Sequence, residues 1–220
     1  MNNKNIRYYE ILADIIDYPR SNYFGKVESA AEFLKDYDSE VNSIFKEFLQ
    51  FLETTAIEKI EELYLRTFDI QAVTTLDIGY VLFGDDYKRG KLLANLNHEH
   101  IKAGNDCGSE LADYLPNLLR LLPKISDSEF KEELVLIIIL PALDKIIKEF
   151  DVKNIELKNK IYEKKFDTLI EKPENYGKIF LKPLLIIKKV LELDFGSPVQ
   201  IEDSIDTSFT KSIKTELKLD

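Results

Sequence analysis

The sequence predicts an all-α fold, on three observations. Apolar residues recur at three- and four-residue spacing along most of the chain, and no stretch shows the two-residue alternation of a half-buried strand. Five of the eight glycines (Gly79, Gly84, Gly90, Gly104 and Gly108) crowd into one section, leaving long glycine-poor flanks. Glycine weakens a helix interior by up to about 1 kcal/mol, so this crowding predicts tight turns between helical halves. Finally, 220 residues that are 45% hydrophobic and 11% aromatic suit a single domain with a substantial core.

Each helix follows from its own pattern. Residues Ile6–Tyr18 form an amphipathic stretch that Pro19 ends, because the residue before a proline is pushed out of the helical region. Val27–Leu34 and Val41–Leu52 give two more stripes, with Asp38 or Ser39 available as a cap between them. Thr54 or Thr55 is placed to cap the next helix, Glu58 completing a capping box with Thr55. Ile60, Tyr64 and Phe68 line one face of that helix. Leu92, Leu93, Leu96 and Ala103 carry the pattern on to Gly104, a natural helix stop.

Between residues 111 and 122, Leu111, Tyr114, Leu115, Leu118, Leu119 and Leu122 make the cleanest apolar stripe. Pro116 interrupts it, and an interior proline costs about 3 kcal/mol. It either starts the helix, leaving Glu110–Leu115 as a separate turn, or kinks it. Glu129–Phe150, Asn154–Ile170 and Pro173–Leu193 supply the later helices, Pro173 lying near the first helical position. From Ser197 the chain turns polar and is read as a flexible tail, so residues 1–196 are expected to be the helical domain and 197–220 the tail.

Charge and composition exclude several functions. Thirty basic against forty acidic residues leave a net charge of −10, which opposes nucleic-acid binding and favours a basic partner. A single cysteine, Cys107, cannot form an internal disulfide and reads as a reduced thiol. The greasiest run, Leu134–Leu143, is half the ~20 residues of a membrane span and predicts a buried helix. With no signal-peptide pattern at the start, a cytoplasmic protein is expected.

No catalytic set is complete. Gly84–Lys91 has five residues between its glycines and no hydroxyl after the lysine, so it fails as a phosphate loop. His98 and His100 stand two apart, unlike the four-apart pair of a zinc protease, and His100 beside the Leu93–Leu96 stripe reads as a partly buried histidine. No metal site, cofactor site or nucleophile follows, and a non-enzyme is expected. What remains is Glu110, Asp113, Asn117 and Arg120, a polar face opposite the leucine stripe, either solvated or able to hold a peptide through carboxylates and free backbone groups.

These segments resemble one family. Tyr64-Leu65-Arg66-Thr67-Phe68-Asp69, then Tyr80 to Gly84, Arg89-Gly90, Gly104 and Glu110-Leu111-Ala112-Asp113-Tyr114-Leu115-Pro116 are similar, in order and spacing, to the nitrate reductase delta subunit, the NarJ–TorD group of molybdoenzyme chaperones. Ile15-Ile16-Asp17-Tyr18-Pro19 resembles the family's Leu-Leu-x-Tyr-Pro opening, and the NarJ branch fits better than TorD. Ala112 stands where the family usually has proline, and His100 where an aromatic is more usual.

The resemblance implies a compact helical bundle, without cofactor, that binds the N-terminal segment of a molybdoenzyme catalytic subunit. A nitrate reductase is the first expectation and a DMSO reductase-type enzyme with export proofreading the alternative. It also implies holding the apoenzyme for molybdenum-cofactor insertion, contact with cofactor-biosynthesis proteins, and a monomer or helix-swapped dimer. A small nucleotide- or pterin-binding protein is the competing class. On the chaperone reading, Glu110 and Asp113 hold the cationic or donor end of the client. Tyr64, Phe68, Tyr114, Pro116 and Leu118 supply apolar contacts, unless Tyr64 and Phe68 are core residues. Asp69 contributes to the same site or ends a helix. Tyr80, Gly84, Arg89, Gly90 and Gly104 form the turn signature, in which Arg89 can pair with a carboxylate.

Overall fold

A computed structural model describes residues 4–20, 22–156, 158 and 178–198. Among these the regular structure is helical and no strand forms. In chain order the helices are α1 (Lys4–Ile16), α2 (Tyr23–Leu34), α3 (Ser39–Glu53), α4 (Ile57–Phe68), α5 (Ile78–Phe83), α6 (Tyr87–Lys102), α7 (Leu115–Leu121), α8 (Ser128–Glu133), α9 (Leu140–Lys148) and α10 (Leu181–Phe195). Helix α1 packs on α2, α7 and α10, while α3 packs on both α2 and α10. On the other side α9 contacts α10 and α5, and α5 leads to α6.

Local chemistry explains most boundaries. The Asp38 carboxylate accepts from the backbone N–H of Glu40 and Val41 at 2.9 and 3.1 Å, satisfying two of the orphan donors that start α3. Asp127 does the same for α8, and Asp86 takes the Lys88 N–H at the start of α6. Helix α1 ends at Ile16, earlier than the sequence pattern suggests, because the Asp17 carboxylate takes the Tyr18 N–H at 2.8 Å. The threonines expected to start α4 instead finish α3. Thr55 donates to the Phe51 carbonyl at 2.7 Å and Thr54 to the same carbonyl at 3.1 Å, leaving Ala56 as an uncapped start for α4.

Pro116 starts α7 in its first turn, so the helix expected over 111–122 begins at Leu115 and continues as a 3-10 turn over Leu122–Lys124. Glu110 and Asp113 therefore do not share a helical face with Asn117 and Arg120. Residues 128–148 form a continuous helical rod whose middle, Leu134–Ile139, is wound as a π-helix. The wide turn precedes Pro141, whose ring would otherwise meet the carbonyl four residues back. Its side chains are largely buried, as expected of the apolar run. The final helix starts at Leu181 after a 3-10 turn at Lys178–Phe180, later than Pro173. Pro173, most of the segment 154–170 and the tail from residue 199 lie outside the described residues.

The aromatic core joins α3, α4 and the C-terminal helix around Phe180, which is fully buried. Its ring centroid lies 5.3 Å from Tyr64, 5.7 Å from Phe68 and 6.4 Å from Phe48. Phe180→Ala is expected to lower the free energy of unfolding by about 3–5 kcal/mol in urea titrations. Leu193→Ala, at a side chain 51% exposed, should change it by less than about 1 kcal/mol.

Candidate functional site

The glycine-rich section and the Glu110–Pro116 run meet in space. Ile78 N–H donates to the Asp113 carbonyl and Leu115 N–H to the Leu76 carbonyl, each at 2.9 Å, making one antiparallel bridge between Asp77 and Tyr114. This pairing turns the Asp113 side chain inward, where it is fully buried. Oδ2 accepts from Gly79 N–H and from Arg89 Nε, both at 3.1 Å. Arg89 Nη2 also donates to Asp77 Oδ2 at 3.2 Å, and its guanidinium lies 5.3 Å from the centre of the Tyr80 ring.

Burial sets the electrostatics of this node. Desolvation raises the Asp77 pKa, the Asp113 charge raises it further, and Arg89 only partly opposes them. Desolvation also opposes the Arg89 charge, but the bonds and charges of Asp113 and Asp77 outweigh it and lift the guanidinium pKa. Among the described residues Asp113 Oδ1 has no hydrogen-bond partner.

Gly79 is needed here for space rather than for a turn. A Cβ at this position would lie 2.7 Å from Asp113 Oδ2. Gly84 and Gly104 do occupy positive φ, 65° and 60°, as chain reversals require. Gly90, expected among the turn residues, instead lies within α6 with open space around it; Arg89 is helical too, and Tyr80 belongs to α5.

The loop between α6 and α7 is fastened by a second polar network. Lys124 Nζ donates to Asn105 Oδ1 at 2.6 Å. The Asn105 amide then reaches His100 Nδ1 at 2.9 Å and the Asn117 carbonyl at 3.2 Å. His100 Nε2 faces the Ala112 carbonyl at 3.0 Å. Asn117 Nδ2 donates to the carbonyls of Leu111 and Cys107 at 3.1 and 3.3 Å. Thus His100 on α6 bonds directly to the backbone of Ala112 on the loop.

A third cluster ties this region to the start of the chain. The Tyr64 and Tyr114 hydroxyls are 2.8 Å apart, and Tyr114 also donates to Asp17 at 3.3 Å. Arg120 bridges Asp17 and Asp14 at 2.8 and 3.0 Å. The Tyr18 ring stands edge-on to Tyr64 at 5.4 Å. Burial keeps both Tyr64 and Tyr114 protonated, raising each pKa well beyond the ordinary tyrosine range.

The predicted site residues therefore divide. Asp113, Pro116, Leu118 and Tyr64 are buried, and Phe68 and Tyr114 are partly so. Glu110 is exposed, and so is Asp69 at the end of α4, whose backbone N–H closes that helix on Leu65. Tyr80 and Leu111 stand beside the buried node with 44% and 47% of their surface in solvent. Sequence reasoning did not single out Asp77, Asn105 or Lys124. The glycine crowding pointed to the section but not to these partners. No group of three or more potential metal ligands occurs among the described residues. Nor is any described helix long and apolar enough to cross a membrane.

Neither the family models nor the curated proteins compared with this sequence match it.

Two glycine substitutions should move stability in opposite directions. Gly79→Ala forces Asp113 off its partners and is expected to cost about 1–3 kcal/mol. Gly90→Ala, in an open helical position, should add about 0.5–1 kcal/mol. Chemical denaturation of the two variants beside the parent chain measures both signs.

Proposed function

We propose that this chain is an assembly chaperone of the NarJ–TorD kind, acting by binding rather than catalysis. It takes the N-terminal segment of a molybdoenzyme catalytic subunit, a nitrate reductase in the first instance, and keeps the apoenzyme open to cofactor insertion. The observation that carries this reading is the convergence of separate segments of the resemblance. Asp17 and Tyr18, Tyr64 and Phe68, and Tyr114 form one hydroxyl and aromatic cluster although they come from distant parts of the chain. Gly79, Arg89 and Asp113 form the adjoining node.

Burial refines which residues touch the client. Asp113 and Leu118, both fully buried, hold the site together instead of reaching the peptide. The rim in solvent is Tyr80, Glu110 and Leu111, with Glu110 close enough to raise the Asp77 pKa by its charge. An exposed aromatic, aliphatic and carboxylate around one buried node suit a peptide with apolar anchors and a basic residue. The net charge of −10 adds attraction at long range, which speeds encounter more than it deepens affinity.

Calorimetry with the client's N-terminal peptide tests this. Tyr80→Ala and Leu111→Ser should each weaken binding about tenfold, near 1.4 kcal/mol. Glu110→Gln should weaken it chiefly at low salt. Undiminished affinity in a Tyr80→Ala, Leu111→Ser double variant would remove this rim from the binding surface.

A further inference from the structure

The bonding around His100 fixes where its proton sits. A lysine ammonium has donors only, so the bond from Lys124 forces Asn105 to present Oδ1 to it. That orientation points the Asn105 amide N–H groups at His100 Nδ1 and at the Asn117 carbonyl. Nδ1 must accept, so the ring's single proton is on Nε2 and is donated to Ala112. The ring is 2% exposed, and burial together with the Asn105 donor on Nδ1 holds it neutral.

A second proton has no place in this arrangement. On Nδ1 it would face the Asn105 NH2, donor against donor. Flipping the Asn105 amide would set its NH2 against the Lys124 ammonium and withdraw the donor from Asn117. Lys124, just after α7, is the charged group that acts on His100. On α6 itself Glu99 pairs with Lys102, and on the loop the Asp106 carboxylate caps Gly108 N–H. Among the described residues no carboxylate bonds to His100.

We propose that His100 is a proton-sensitive latch, neutral when the 105–112 loop is closed and releasing that loop when protonated. The loop carries Glu110 and Leu111, so on the functional reading above, on which this consequence rests, mild acid loosens the client rim. Burial, with the Lys124 charge, depresses the His100 pKa, while the Ala112 bond opposes them. The sign follows from linkage: the latch contributes in full above the usual histidine value of 6.5 and is lost as pH falls towards the depressed value of the closed state.

Nuclear magnetic resonance of the full chain tests the latch without any client. His100 should titrate below 6.5, with the backbone amide signals of residues 105–112 shifting at the same midpoint. Asn105→Asp supplies a carboxylate that can accept from both Lys124 and a protonated Nδ1, and should lift the midpoint above 6.5 while keeping the loop closed. Lys124→Met frees the Asn105 amide to turn, and should also raise the midpoint. Loop signals that do not follow the His100 titration would overturn the proposal, as would an Asn105→Asp chain with an unchanged midpoint. Should either variant fail to fold, the wild-type titration alone decides. Client-peptide calorimetry across the same pH range reads the functional reading separately: a latch that titrates beside a peptide that never binds leaves the first intact and sinks the second.

Discussion

A carboxylate with no access to water constrains the centre of this protein. Burying an unpaired charge is expensive, so Asp113 can sit at full burial only if donors are brought to it. Gly79 N–H and Arg89 Nε supply two, and each dictates something further. The Gly79 contact forbids a Cβ, which explains a glycine inside a helix. The Arg89 contact fixes the start of α6 against α5 and recruits Asp77 as its second partner. The backbone bridge between Asp77 and Tyr114 completes the arrangement, holding two otherwise distant loops in register.

Around that node the loop from α6 to α7 is held by side chains as well as by backbone turns. The side chains of Asn105 and Asn117 donate to the carbonyls of Asn117, Cys107 and Leu111, and His100 faces that of Ala112. Such a loop is well defined while every donor faces an acceptor, and it has little redundancy when one of them changes state. Its outer face carries Glu110 and Leu111, while Tyr80 stands above Arg89. Glu110 and Leu111 stand on a loop held by polar side chains, beside a packed aromatic cluster.

Much of the helical order could be read from the residues one after another. Asp38 as a cap, Gly104 as a stop and the buried Leu134–Leu143 run all appear where local pattern puts them. The misreadings have local causes too. Thr54 and Thr55 are equally good chemistry for ending one helix or starting the next, and the carbonyls of α3 took them. Pro116 allowed two readings, and the chain uses the one in which its missing N–H removes no bond. Gly79 and Gly90 look alike in sequence, but one is required by a neighbouring oxygen and the other sits in open space.

The sequence by itself determined the all-α class and the approximate place of most described helices, because a 3.6-residue period is written in neighbouring side chains. It also drew attention to Glu110–Pro116 and to the glycine-rich section, though not to their meeting in space. Tertiary structure alone decided that Asp113 turns inward and Glu110 outward, that Tyr64 bonds Tyr114 across 50 positions, and that Lys124, Asn105 and His100 join in one polar chain. Hydrophobic periodicity is a local property, whereas a buried polar atom is satisfied by whichever donor the packing of distant helices brings within about 3 Å.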